Sequence, residues 1–163
     1  DEAGLDAYGL NRRLLEKFVE RQFSHHLIVR LPGLVGPGLR KNVIYDFLTN
    51  NNIQDIDSRG VFQFYPMVNL WYDIETALEA GLRLVHLNAA PISVSVVAGK
   101  GFGTAFDNPL GKTPASYDMQ TKYAALFGAS GHYLYSVRET LQAVRAYAQS
   151  GSLPMNQQAE VTA

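Results

Sequence analysis

The sequence contains no cysteine, carries almost no net charge and has no long apolar run. The absence of cysteine excludes disulfides, thiolate-bound metals and cysteine nucleophiles among its 163 residues. Fourteen Lys and Arg against fifteen Asp and Glu give a formal net charge of −1, which argues against binding to nucleic-acid phosphates. No apolar run approaches the roughly 18 to 20 residues that span a bilayer, and the acidic start is unlike a signal peptide. We therefore expect a soluble protein with neither nucleic-acid nor membrane partners, and the cytoplasm is the default location.

The chain has enough hydrophobic residues to form the core of one domain. Hydrophobic residues make up 47% of the sequence and charged residues 18%, a balance typical of a globular protein with a core. The stretch from Gly151 onward is polar and aperiodic, which predicts a flexible tail. The expected organisation is one domain over residues 1–150 and a tail over 151–163.

Alternating helix and strand patterns predict an α/β fold. Apolar residues recur at helical spacing from Leu10 to Val19, and the short run Leu27–Leu31, ended by Pro32, is typical of a buried parallel strand. Ser136 and Glu139 form a capping box ahead of a final helix. Other predicted elements are helices over 39–48, after Asn69 and after Ser93, strands over 61–65 and 82–87, and a loop over 99–116.

Two segments bear on chemistry: residues 8–12, YGLNR, and residues 27–38, LIVRLPGLVGPG. Together they resemble the extended short-chain dehydrogenase/reductase superfamily, the NAD-dependent epimerase/dehydratase group. In that family the active-site helix carries Tyr-x-x-x-Lys, and the next strand ends in a turn beside the nicotinamide. The resemblance implies that Tyr8 is the catalytic tyrosine and that Arg12 stands in the place of the lysine. It also implies that cofactor-binding residues are Arg30, Pro32, Gly33, Leu34 and Val35.

The spacing of Tyr8 and Arg12 has a physical rationale. A phenol is a poor base at neutral pH because it ionises near pH ~10, and a cation one helical turn away stabilises its anion. Residues four apart lie on the same helix face. The alternative is that Tyr8 packs against a neighbour and Arg12 is a solvated side chain.

The resemblance also implies that the chain is the C-terminal part of a longer enzyme. In the family, the glycine-rich turn that binds the dinucleotide pyrophosphate lies before the catalytic tyrosine, and no such turn precedes Tyr8. The expected fold is the C-terminal part of a Rossmann-like fold, with parallel strands, flanking helices and a small substrate-binding lobe. The complete enzyme is expected to use NAD or NADP, which this chain alone is not expected to bind tightly.

The expected substrate carries a hydroxyl or keto group and is sugar-like, with Asn42, Arg59 and Tyr117 as candidate binding residues. Many family members bind a sugar nucleotide through an Arg that precedes a strand. Phe62 stands in that place here, and Arg59 is the nearest arginine upstream. Tyr117 belongs to a tyrosine-rich stretch that either lines a substrate pocket or closes a small lobe by packing.

Two further expectations concern metals and partners. The adjacent His25 and His26 point apart, and His86 and His132 are isolated, so no metal site is predicted. The apolar stripe of the opening helix predicts a homo-oligomer through residues 6–22. The alternative function is a non-catalytic interaction module derived from the same fold.

Overall fold

The computed structural model describes residues 4–151 of the chain. The predicted tail therefore lies outside the described residues, except for Gly151, which is the last residue of a helix. The helices are α1 (Ala7–Gln22), α2 (Val43–Thr49), α3 (Leu70–Glu79), α4 (Val94–Val96) and α5 (Val137–Gly151). The strands are β1 (Ile28–Arg30), β2 (Gly33–Val35), β3 (Val61–Phe62), β4 (Phe64–Pro66), β5 (Leu84–His86) and β6 (Ile92–Ser93).

The strands form three pairs, two of them parallel. Strand β1 pairs with β5 and β2 pairs with β4, both in parallel, whereas β3 and β6 are antiparallel. Parallel pairs with helical connections confirm the predicted α/β fold. The strand predicted over 61–65 is in fact two strands with different partners, and Pro66 is the last residue of β4, opposite Val35. Proline is tolerated there because it is at a strand end.

Local capping explains where most helices begin. The backbone N–H of Ser136 donates to the Glu139 carboxylate at 2.8 Å, and the Glu139 N–H donates to the Ser136 hydroxyl at 3.3 Å, which confirms the capping box. Ser93 caps α4 as predicted, although the helix continues as a π-helical turn over Val97–Phe102. Helix α2 begins at Val43 rather than at residue 39 because Asn42, with φ of 80°, caps it through the Ile44 N–H.

Two apolar clusters form the core. The first comprises Val35, Ile44, Phe64, Ile92, Val97, Leu141 and Val144, and the second comprises Tyr65, Ala77, Val85, Leu87 and Leu134. Helix α1 contributes no buried residue to either, and its Leu14, Leu15 and Phe18 are more than half exposed. Within residues 4–151 no helix is both long and apolar enough to cross a membrane.

Candidate functional site

Helix α1 brings Tyr8 and Arg12 into direct contact. The Asp6 carboxylate caps the helix by accepting from the Gly9 N–H at 2.7 Å, which starts the helix just before Tyr8. Arg12 Nη2 donates to the Tyr8 hydroxyl oxygen at 2.6 Å, and the guanidinium carbon lies 5.0 Å from the centre of the phenol ring. Tyr8 is 67% exposed, so the phenol is open to a ligand. The four-residue spacing thus gives the contact that the sequence predicted.

A second arginine, Arg30, joins the end of β1 to helix α1. Its Nε donates to Glu16 Oε1 at 2.7 Å and its Nη2 donates to Glu16 Oε2 at 2.6 Å, which is a bidentate ion pair. These hydrogen bonds hold the pKa of the Glu16 carboxyl below its usual value, and they raise the pKa of the Arg30 guanidinium. Arg13 adds a third donor to Glu16 at 2.9 Å. Nothing in the local sequence relates Glu16 to Arg30, so Glu16 is not recognisable as a site residue from the sequence alone.

Tyr8, Arg12 and Arg30 line one open cleft of about 990 Å³. Pro32 and Leu34 form its apolar wall, so five of the seven predicted catalytic and cofactor-binding residues lie together. The other two are elsewhere. Gly33 lines the neighbouring pocket, and Val35 is 2% exposed in the first core cluster.

The neighbouring pocket has a volume of about 660 Å³ and shares three wall residues with the cleft, namely Leu31, Pro32 and Met119. Its walls include the predicted substrate residues Asn42 and Tyr117. The two cavities are therefore adjacent, with the turn after β1 between them. A ligand in the pocket would therefore lie beside the cleft that Tyr8 lines.

Close approach of two strands explains the glycine at position 33. A Cβ atom on Gly33 would lie 2.9 Å from the backbone carbonyl oxygen of Gln63, and 3.1 Å from Cδ1 of Phe64. Strands β2 and β4 could not pair at this distance if residue 33 had a side chain. The close approach of β2 to β4 beside the pocket therefore requires glycine at position 33.

The structure does not bring Arg59 to either cavity. Its guanidinium donates to both carboxylate oxygens of Asp57, at 3.0 and 2.8 Å, and to the backbone carbonyls of Leu110 and Lys112. These hydrogen bonds hold the pKa of Asp57 well below its usual range. Arg59 thus fastens the loop around residues 110–112 to the turn before β3, and no substrate role is assigned to it.

Tyr117 and Tyr135 differ in their surroundings: one lines the pocket and the other packs inside the fold. Tyr117 is 59% exposed and lines the pocket. Tyr135 is structural: it donates to the Asp73 carboxylate at 2.7 Å, beside a second hydrogen bond of 2.6 Å from Tyr65. Burial and this carboxylate raise the pKa of both phenols. Asp73 itself is 2% exposed, and no local pattern links the three residues.

Metal ligands do not cluster in the part of the chain that the structure describes: it contains no group of three or more His, Asp or Glu side chains that could hold an ion. The His86 Nε2 atom instead lies 3.3 Å from Nη1 of Arg30, and its Nδ1 atom lies 3.0 Å from the Gln120 carbonyl oxygen. His86 thus belongs to the contacts around Arg30.

No family model matches the sequence, and no curated protein matches it. Solved structures do match the fold. A UDP-galactose 4-epimerase superposes with a TM-score of 0.59 at 19% identity, over 88% of this chain and 51% of that one. A dTDP-glucose 4,6-dehydratase from Bacillus anthracis in complex with NAD superposes with a TM-score of 0.62 at 11% identity, over 91% and 53%. The Bordetella bronchiseptica enzyme WbmG in complex with NAD superposes with a TM-score of 0.63 at 16% identity, over 88% of this chain and 49% of that one.

The chain spans about half the length of the solved structures that it matches. At these identities the likeness establishes the fold, and it confirms the partial Rossmann-like architecture that the sequence predicted. The chain thus has the fold of about one half of these epimerase and dehydratase structures.

Proposed function

We propose that this chain is the C-terminal, substrate-binding portion of an NAD(P)-dependent epimerase/dehydratase or reductase that acts on a hydroxyl or keto group. One observation carries the proposal: the Arg12 guanidinium donates to the Tyr8 hydroxyl at 2.6 Å in a cleft that Arg30 and Pro32 also line. A phenol paired with a cation, open to a cavity, is suited to proton transfer with an alcohol or a carbonyl oxygen.

The proposed chemistry follows from that contact. In the proposed reaction Tyr8, with Arg12 donating to its oxygen, accepts the proton of a substrate hydroxyl. The substrate carbon loses a hydride as the oxygen loses its proton, so an alcohol becomes a carbonyl. In the reverse direction Tyr8 returns the proton to the carbonyl oxygen. Bound NAD or NADP would supply the hydride acceptor.

The residues in the cleft fit the nicotinamide end of such a cofactor. Arg12 offers donors for ribose oxygens, and Pro32 with Leu34 offers an apolar surface for a flat ring. Arginine differs from the lysine of the family because its donors form a planar fork, so the ribose would be held in a different geometry.

Replacement of Tyr8 by Phe tests this proposal. The protein expressed from its complete reading frame is incubated with NAD⁺ or NADP⁺ and a panel of secondary alcohols and sugar nucleotides, and reduced nicotinamide is measured by absorbance. Tyr8→Phe should lower turnover by ~10²-fold or more, because it removes the group that exchanges the proton. Cofactor affinity should stay near that of the unmodified protein.

The matched control is Tyr72→Phe, because Tyr72 is another exposed helical tyrosine, at 71%. It should leave turnover unchanged. Equal activity of the Tyr8→Phe and unmodified proteins would assign Tyr8 to the surface of α1 and remove the proposal. An unmodified protein that is folded but turns over no member of the panel would favour the non-catalytic interaction module.

We further propose that α1 mediates a homo-oligomer, as the sequence predicts for residues 6–22. In support, Leu14, Leu15 and Phe18 are 55%, 58% and 57% exposed. Large exposed apolar side chains on one helix favour association. Two expectations stay predictions: that one domain covers residues 1–150 with a tail over 151–163, and that the protein is cytoplasmic.

A further inference from the structure

The pocket beside the Tyr8 cleft is bounded by aromatic rings. Phe62 and Tyr117 are stacked, with ring centres 5.6 Å apart and planes at 27°, and the Phe64 ring lies 6.3 Å from that of Phe62. The loop that carries Tyr117 is fixed against β3, because Val61 donates to the Ala115 carbonyl at 2.9 Å and accepts from the Tyr117 N–H at 3.0 Å. The aromatic wall is thus built into the fold.

Charge is nearly absent from this pocket and has the wrong sign for a phosphate. Among the described residues that line it, Asp118 alone has a formal charge at neutral pH. Its carboxylate accepts from the Tyr133 hydroxyl at 2.6 Å and from the Gln120 amide at 3.0 Å. A bound diphosphate is stabilised by cationic side chains or by converging backbone N–H groups, and a carboxylate nearby would repel it. Arg59 does not supply the cation, since Asp57 and two backbone carbonyls engage it.

The amide side chains in the walls are already used by the protein. The Gln63 amide donates to the carbonyls of Ala89 and Met119, and its oxygen accepts from the Met119 N–H at 2.6 Å. The Asn42 amide donates to the Leu34 carbonyl at 2.9 Å, and its oxygen caps α2. These groups hold the walls together, so they are poor partners for the many hydroxyls of a sugar.

An apolar ring system is the ligand that these walls recognise best. A flat ring can pack on Tyr117, which is 59% exposed, and a pocket of about 660 Å³ is in the range for a molecule of two or more rings. The pocket and the Tyr8 cleft share the wall residues Leu31, Pro32 and Met119, so such a molecule would bind directly beside that cleft.

We infer that the pocket lined by Phe62 and Tyr117 takes an uncharged aromatic ketone or alcohol rather than a sugar nucleotide. This inference rests on the proposed function, because it names the substrate class of the same site. It differs from the sugar-like substrate that the family resemblance implies. The physical reason is that the described residues lining the pocket provide aromatic walls and the Asp118 carboxylate, with no Lys or Arg among them.

Binding of two probes tests the inference. Acetonaphthone, an uncharged two-ring ketone, and UDP, an anionic nucleotide, are titrated by calorimetry into the protein from its complete reading frame. Acetonaphthone should bind at least about tenfold more tightly than UDP. Tyr117→Ala should weaken acetonaphthone by about threefold to tenfold, since it removes one stacking surface. It should leave the affinity for UDP unchanged.

Two further variants make the result specific. Tyr72→Ala removes an exposed tyrosine of α3 outside the pocket walls and should change neither affinity. Phe62→Arg places a cation in the pocket and should raise the affinity for UDP by about tenfold or more. Phe62 is partly buried, so the exposed Tyr117 remains the informative site if this variant does not fold.

Failure of acetonaphthone to bind, or a loss of UDP affinity in Tyr117→Ala, would overturn the inference. The latter result would leave the proposed reaction intact. Conversely, acetonaphthone binding that depends on Tyr117, in a protein whose turnover is indifferent to Tyr8→Phe, would refute the proposed function and support the ligand class.

Discussion

Replacing Glu16 by Gln should weaken the docking of helix α1 on the rest of the molecule. Glu16 makes two charge-assisted hydrogen bonds with Arg30, at 2.7 and 2.6 Å, and its side chain is only 15% exposed. Hydrogen bonds to charged groups contribute roughly 1.5 to 3 kcal/mol, whereas exposed ion pairs contribute roughly 0.2 to 1 kcal/mol. Because the Arg30 side chain is 38% exposed, we expect a loss of about 1 to 2 kcal/mol.

The loss should be local because α1 has no buried side chain. An undocked helix of 16 residues is only marginally stable in water, so its amides would exchange with solvent. Hydrogen exchange measured by mass spectrometry should show protection of residues 7–22 reduced by about fivefold to thirtyfold, which is the same energy expressed as a ratio. Protection of α5, which packs in the first core cluster through Leu141 and Val144, should be unchanged.

Glu20→Gln is the matched control. Glu20 lies on the same helix and contacts Arg13 at 3.3 Å, with a side chain that is 37% exposed. Its replacement should alter protection of α1 by less than about threefold, since surface pairs contribute little. Equal effects of the two substitutions would show that the pair of Glu16 and Arg30 does not hold the helix.

Three other outcomes are expected. In the folded protein the pKa of Glu16 is lowered from 4.5. The stabilisation from the ionised Glu16 is therefore complete above about pH 4.5 and is lost as the pH falls through the lowered pKa of the folded state. The difference in urea midpoint between the unmodified protein and Glu16→Gln should shrink below about pH 4.5. Tyr65→Phe should lower the free energy of unfolding by about 1 to 3 kcal/mol in urea titrations, because the buried Asp73 loses a donor, and an effect below about 0.5 kcal/mol would contradict this. Leu14→Glu combined with Phe18→Glu should convert an oligomer into a monomer by light scattering, and an unmodified protein that is monomeric at micromolar concentration would rule out pairing through α1.

Features that depend on a few neighbouring residues were predictable. The contact between Tyr8 and Arg12 follows from the four-residue period of a helix, and the cap formed by Ser136 and Glu139 follows from a known local geometry. The parallel strand at Ile28–Arg30 was predicted from its apolar run. The strand at β5 was also predicted, but its pairing with β1 was not. Pairing depends on how the chain between the two strands folds.

Strand boundaries were less predictable where neighbouring residues take different partners. The stretch 61–65 is a single run rich in strand-forming residues, yet Phe62 pairs with β6 and Phe64 pairs with β2. The hydrophobic pattern of these residues does not distinguish between the two partners, because it does not specify which strand lies opposite. Similarly, the arginine at position 59 has the residue type expected for an anion-binding site, but the turn before β3 directs it to Asp57.

By itself the sequence determined the α/β class, the helix that carries Tyr8 and Arg12, and the turn of Pro32 that lies beside them. All of these depend on interactions within one or two helical turns or within a single strand. The tertiary structure alone decided that Glu16 engages Arg30, that Asp73 accepts from two distant tyrosines, and that Phe62 stacks on Tyr117. Each of these contacts forms only when segments far apart in the chain are brought together, and the residue types involved would be equally acceptable on a solvated surface.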